Sequence, residues 1–356
     1  MRTNRIKSNK IIIIFVAIII IAVGFRSMNT EKNILPKYDL LEIKEMEKEV
    51  KYLQNENMLS FSFITDVHIN NEKNSNNNLI AFSKITSKDF IKFGVVGGDL
   101  YSAYTTSKQQ GIEYLSYVYD FFQKNIKKSV YFRKGNHDCN AKLEKSQYIT
   151  NEDYYNIINK NRCDEVVTNS DCEYSNYYYK DFEENKIRIC ILNSFEGEGQ
   201  EFIFNNTELD FIANNMLNFE NKQNPEEWQV LFISHTADVS DTDKFNKIIN
   251  AYQNGEKVSI NNKIVDYSKQ GKGSVIAFIS GHKHIDSYNY DNGYLNIVVQ
   301  RGFNIPDECN TENELCFSIF TIDYKEHVIY ENRCGRGENR QWNYNAYENE
   351  WLNEAA

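Results

Sequence analysis

A chain of 356 residues has room for one large domain or two small ones, and 41% hydrophobic with 14% aromatic content supplies a substantial core. With 40 basic against 50 acidic residues the net charge is −10, so most of the surface repels a long polyanion such as duplex nucleic acid. The seven cysteines contain no CxxC spacing, which sets aside the common zinc-finger patterns.

Residues 1–10 hold Arg2, Arg5, Lys7 and Lys10 and no acid, and Ile11 to Phe25 is an unbroken apolar run of 15 residues. As a helix it would be about 22 Å long, short for a bilayer core of roughly 30 Å. A basic start and such a run read as a secretory signal, with Ala22 and Gly24 as the small residues before a cut. The runner-up is an uncleaved membrane anchor with its basic end inside. Either reading makes the remainder extracellular or cell-surface, secreted or membrane-anchored. Loss of residues 1–25 removes four positive charges and leaves a net charge of −14. An exported chain permits disulfides, and an odd number of cysteines leaves at least one thiol. Cys309 with Cys316 and Cys163 with Cys172 are candidate local loops; Cys190, in an apolar run, reads as a buried strand thiol.

Residues 26–55 read as a linker followed by an amphipathic helix over Tyr38–Leu53, with Ile43, Met46, Val50 and Leu53 on one face. Two heptads predict packing on its own domain rather than dimerisation. Residues 56–356 form the main domain. Strands are predicted at 58–65, 90–97, 128–133, 227–234, 274–280, 295–300, 316–324 and 327–331, with hairpins over 177–193 and 258–267. Helices are predicted at 79–88, 107–125, 151–160, 207–219 and 241–252, the fourth capped by Asn206 or Thr207. Strands alternating with helices, then a strand-rich end, indicate α/β architecture with mixed sheets.

Five of the six histidines fall in short motifs after predicted strands. Asp66-Val67-His68 puts two ligand-type side chains on one face by the strand period of two. Gly97-Gly98-Asp99 sets a carboxylate on a sharp turn. Gly135-Asn136-His137-Asp138 offers a neutral carbonyl and an adjacent His-Asp pair. Ser234-His235 ends a strand, and Gly281-His282-Lys283-His284 presents two imidazoles at i and i+2. Single short motifs match by chance often; five in order, each after a strand, do not.

The ordered set DxH, GD, GNHD, SH, GHxH resembles the calcineurin-like metallophosphoesterase superfamily from Asp66 to His284. The resemblance implies a four-layer αββα sandwich of two mixed β-sheets flanked by helices. It also implies two divalent metal ions at the strand ends. Asp66, His68 and His284 would hold the first, Asn136, His235 and His282 the second, and Asp99 would bridge them. His137 would face the leaving group with Asp138 holding its ring. Purple acid phosphatases carry DxG first and a Tyr three residues after the bridging Asp. Ser102 stands there in this chain and Tyr101 one place early, so a tyrosinate-bound iron is not implied.

Four His, two Asp and one Asn make a mixed N/O donor set suited to Mn, Fe or Zn rather than Ca²⁺. Two such ions clamp phosphoryl oxygens and lower the pKa of a bridging water, whose hydroxide attacks phosphorus in line. His137 would protonate the departing oxygen. The expected function is therefore an exported dinuclear-metal phosphoesterase acting on a small phosphate mono- or diester. Two competing readings are a surface-anchored binding protein with structural metals and a nuclease of the same superfamily, which the net acidity disfavours. Arg333, Arg336 and Arg340 fit either phosphate binding or internal salt bridges. Tyr177 to Tyr179 reads as a hairpin edge, and His327 as structural.

Overall fold

Alternation in Met58–Ile64 fixes the first sheet. Leu59, Phe61 and Phe63 point to one side, into the apolar layer shared with the other sheet. Ser60 and Ser62 point to the other side, where a helix must approach closely. This strand, β1 (Met58–Ile64), pairs in parallel with β2 (Phe93–Val96), which pairs in parallel with β3 (Val130–Phe132). On its other side β1 runs antiparallel to β13 (Cys316–Asp323), followed by β14 (Val328–Gly335) and β15 (Arg340–Asn343). The second sheet is ordered β11 (Ser287–Asn289), β12 (Asn296–Val298), β10 (Ser274–Ser280), β7 (Gln229–Ile233), β6 (Ile187–Ile191), β5 (Tyr178–Phe182) and β4 (Val167–Thr168). Within it, β12, β10, β7 and β6 are mutually parallel. A separate hairpin joins β8 (Lys257–Ile260) to β9 (Lys263–Asp266). The computed structural model describes residues 35–69, 76–102, 104–162, 165–195 and 201–345.

Helices cover both outer faces. On the first sheet lie α1 (Lys37–Leu53), α2 (Asn77–Thr86) and α3 (Lys108–Asn125). Ser62 Oγ meets Thr86 Oγ1 at 2.6 Å, and Phe82 of α2 packs on Phe122 and Phe317. Beside α3 sits the short α4 (Asn151–Ile157). Against the second sheet pack α5 (Asn206–Phe211) and α6 (Thr242–Asn254), with Phe245 between Phe232 and Phe278. The result is the four-layer αββα sandwich, with one apolar layer between the sheets and another under α5 and α6.

The sequence pattern and the structure differ in a few places. The fourth predicted helix begins one residue early, with Asn205 accepting from the Glu208 amide as its cap. It continues as a π-turn over Ile212–Met216, which keeps Ile212, Ala213 and Met216 all buried. The strand expected at 327–331 extends to Gly335, and β4, β11 and β15 were not foreseen. These three are short, without apolar alternation, and hold their places by backbone pairing. The Cys309–Cys316 loop does not form, because Cys316 is a buried thiol at the start of β13. Cys163, the expected partner of Cys172, lies outside the described residues, as does the whole of the segment 1–25. Among the described residues no helix is long and apolar enough to cross a membrane.

Candidate metal centre

Every motif loop leaves the carboxyl end of a parallel strand and turns at once. Asp66 (φ 51°), His68 (41°), Asp99 (53°), His282 (69°) and His284 (59°) all occupy the left-handed region. Residues with a Cβ enter it at about 1–3 kcal/mol each, and persist there only when surroundings over-determine them. The surroundings here are hydrogen bonds between loops. The Asp66 amide donates to Gly98 O (3.0 Å) and the His68 amide to Asp99 O (3.1 Å). Two glycines are required by close approach. A Cβ on Gly135 would meet Asp99 Oδ1 at 2.2 Å, and one on Gly281 would meet Thr65 Oγ1 at 2.2 Å.

Each carboxylate has one oxygen tied and one aimed inward. Asp66 Oδ2 accepts from Thr65 Oγ1 (2.7 Å) and the His282 amide (3.0 Å). Asp99 Oδ1 accepts from the His137 amide (2.8 Å). The other oxygens, Asp66 Oδ1 and Asp99 Oδ2, are buried and accept no hydrogen bond of ordinary geometry. Ring nitrogens surround them instead. Asp66 Oδ1 lies 3.1 Å from His284 Nε2, 3.9 Å from His235 Nε2 and 4.0 Å from His68 Nε2. Asp99 Oδ2 lies 3.4 Å from His235 Nε2, 3.6 Å from His68 Nε2 and 3.9 Å from His137 Nε2.

Two ligand groups result, one of Asp66, His68, Asp99 and His284, the other of Asp99, His235 and His282. Within each, the potential ligand atoms all lie within 4.8 Å of one another, and Asp99 belongs to both. Asn136 joins the second through its Oδ1, 3.2 Å from His235 Nε2. His235 tests whether this set fits a metal. Its Nδ1 lies 2.8 Å from Gly97 O, a pure acceptor, so the proton sits on Nδ1. When the ring is neutral, the bare Nε2 faces Asp99, Asp66 and Asn136 oxygens, acceptors all. Lone pairs converging in a dry site repel unless a cation stands among them, so the residues fit a metal pair.

The electrostatics agree. Burial alone would raise Asp66 and Asp99, yet His235 and the other imidazoles hold both below the usual carboxylate range. Burial pushes the His235 ring towards neutrality, but Asp99 and Asp66 outweigh it and raise its pKa to about 9. For His68, burial prevails over both carboxylates and lowers the pKa to about 4. A neutral imidazole is the form that binds metal.

His137 lies beside the ligands rather than among them. Its ring stands edge-on to His68, with centroids 4.7 Å apart, and remains 21% exposed. The expectation that Asp138 holds this ring meets a different arrangement. Asp138 Oδ2 accepts from the amides of Asp99 (3.0 Å) and Gly135 (2.8 Å), and Oδ1 from that of Leu100 (2.8 Å). Asp138 therefore ties the loop after β3 to the loop after β2. Three unpaired amides at adjoining loop turns draw the carboxylate inward, and it is fully buried.

Aromatic rings that no short motif announced wall the centre. Phe303 stands edge-on to His68 and His284, centroids 5.0 and 5.1 Å away, and Phe202 to His282 at 5.2 Å. Phe303 reaches the site because its amide donates to Asp66 O (2.9 Å), a contact across more than 200 residues of sequence. At the rim Lys283 pairs with Asp238 at 2.7 Å. Arg333, Arg336 and Arg340 resolve as an internal network with Asp286, Glu331 and Glu308. His327 packs on Tyr344 away from the site.

The sequence model of the calcineurin-like phosphoesterase family matches residues 59–286, well over half of the chain. Comparison with curated proteins finds no match. Among solved structures, a dimetal phosphatase from Danio rerio is 15% identical, with a TM-score of 0.53, over 80% of this chain and 99% of that one. Vps29 from Chaetomium thermophilum is 11% identical, with a TM-score of 0.32, over 80% of this chain and 97% of that one. The strand-end loops, the two ligand groups sharing Asp99 and the family match lead to one conclusion: the chain belongs to the calcineurin-like phosphoesterase family, a metal-dependent phosphoric ester hydrolase.

Proposed function

We propose that the protein is an exported, dinuclear-metal phosphoesterase acting on a small phosphate mono- or diester. Asp66, His68, Asp99 and His284 would hold one ion, and Asp99, Asn136, His235 and His282 the other. The observation that carries this reading is Asp99 Oδ2, buried and shared by both groups, with three imidazole nitrogens inside 4 Å. The donor set suits Mn, Fe or Zn. When bound, such a pair supplies a water of lowered pKa and positive charge against the phosphoryl oxygens.

The chain's own residues do the rest. Asp66 and Asp99 fix the site's charge and position. Gly97 O sets the His235 tautomer through Nδ1. Phe202 and Phe303 wall the ligands on two sides. His137, close to the ligands yet partly exposed, is placed to give a proton to the departing oxygen. Export rests on the basic start and the apolar run at 11–25, and fractionation tests it: the intact protein found soluble in the cytoplasm would exclude it. The activity is tested by a panel of monoesters and diesters with Mn²⁺, Zn²⁺ and Fe²⁺ supplied singly. Hydrolysis with at least one metal is expected. Metal binding without any hydrolysis would leave the structural-metal binding protein as the reading.

A further inference from the structure

Helix α1 buries Asp39, Ile43, Met46 and Val50 against the first sheet. Its opposite face follows the spacing i, i+4, i+7, i+11, i+15 and reads Lys37, Leu41, Lys44, Lys48 and Tyr52. All five are exposed, Leu41 to 52% and Tyr52 to 90%. Leu40 and Lys51 flank the stripe and are exposed as well. Lys37 and Lys44 have no ionic partner among the described residues, and Lys48 has only Glu45 at 3.7 Å, itself exposed. A cationic and apolar helix face is out of character for a chain whose net charge is −10.

We propose that this face of α1 docks flat on an anionic phospholipid surface. Lysines near such a surface are attracted by about fivefold each, while leucine and tyrosine enter the headgroup boundary. The stripe is about 22 Å long. In sequence, residues 26–36 separate it from the apolar run ending at Phe25. Beside the stripe, Tyr52, Leu53 and Tyr330 line a groove of about 640 Å³, with Lys48 and Lys51 at its edge and Glu49 and Glu331 also in its lining. The metal loops leave the strand ends, whereas α1 lies on the outer face of the first sheet. The inference is independent of the substrate.

The test is lysine acetylation read by mass spectrometry, on the full chain reconstituted in vesicles. One set is phosphatidylcholine alone; the other has phosphatidylglycerol as a third of its lipid. Acetylation of Lys37, Lys44 and Lys48 should slow by at least about fivefold in the anionic vesicles, with Lys247 and Lys257 unchanged, and high salt should restore the rates. The double variant K44E/K48E should lose the slowing at Lys37 while keeping phosphoesterase activity in detergent. Equal rates in the two vesicle types would overturn the proposal. Equal slowing in both would overturn it too, by assigning the cover to a second copy or to the chain itself.

Discussion

His235 Nε2 lies 3.4 Å from Asp99 Oδ2 while its Nδ1 faces the Gly97 carbonyl at 2.8 Å, so two acceptors meet in a buried site. That contact is stable only with positive charge between or upon them. Because Asp99 serves both ligand groups, Asp99→Ala should lose both metals, whereas Asp66→Ala should keep most of the second. Elemental analysis of the reconstituted variants decides it: full retention of both metals in Asp99→Ala would refute the shared role.

Without metal, the positive charge falls to the His235 imidazolium. Its pKa is raised to about 9 from an ordinary 6.5. The stabilisation is complete below about 6.5 and disappears as pH rises through about 9, on the order of 1–3 kcal/mol. Metal needs the neutral ring and so loses nothing there. The gain in Tm on adding Mn²⁺ or Zn²⁺ to chelated protein should therefore widen between pH 6 and pH 9.5. A gain that narrows over that range would contradict this account.

The sequence was most informative where chemistry and local geometry coincide. Asp66, His68, Asp99, Asn136, His235, His282 and His284 were legible because each sits in a short motif that ends a strand. Strand-to-loop alternation likewise placed β1, β7 and β10 within a residue or two. What escaped lies between distant segments. Phe303 acquires its place from a backbone bond to Asp66, and Asp138 from three amides on separate turns. Neither partner set leaves a trace in local spacing. β15 escaped for a related reason, since Arg340 is matched to Glu331 across the strands rather than along them.

Asp39 offers a stability test remote from the metals. It is 1% exposed, and its Oδ2 accepts no hydrogen bond. Burial, then Glu314 and Glu42, raise its pKa to about 7 from 3.8. A carboxyl raised on folding adds nothing below about pH 3.8 and destabilises increasingly up to about pH 7. Asp39→Asn should thus stabilise by about 1–2 kcal/mol at pH 8, after allowance for screening, and by little at pH 4. Thermal unfolding at the two pH values checks it; equal effects at both would remove the electrostatic cause.

Asn140 clamps two rim loops. It accepts from Tyr101 OH (2.7 Å) and Thr105 Oγ1 (2.8 Å), and donates to Ser107 O (3.3 Å). The clamp brings Lys142 Nζ 4.0 Å from the ring centre of Tyr104, which is 76% exposed. Lys142 is also near enough to His137 to lower its pKa, after the larger effects of burial and Asp99. If His137 faces the leaving group as proposed, the pair borders that side. Tyr104→Ala should raise KM about fivefold for aryl phosphoesters and leave alkyl esters nearly unchanged, as loss of a stacking surface would. An equal rise for both classes would make the ring's role structural.

His137 separates a catalyst from a metal-binding protein. Its amide is tied to Asp99 Oδ1, while its ring stays partly exposed against His68. The backbone amide thus serves the ligand set, and the ring stands beside it, the proposed proton donor. His137→Ala should retain both metals and lower kcat by about 10²–10⁴-fold for alkyl leaving groups. The loss should shrink for nitrophenyl esters, whose departing oxygen needs less help. Asp138→Asn should behave differently. One amide–carboxylate contact at Asp99, Leu100 or Gly135 becomes an N–H facing an N–H. Metal affinity and Tm should then fall, at about 1–3 kcal/mol for the unsatisfied buried group, with similar loss for all leaving groups. Leaving-group dependence measured in both variants checks the division of labour. Wild-type rates on alkyl esters in His137→Ala would remove the acid role, and an unchanged Tm in Asp138→Asn would remove the loop-tying one.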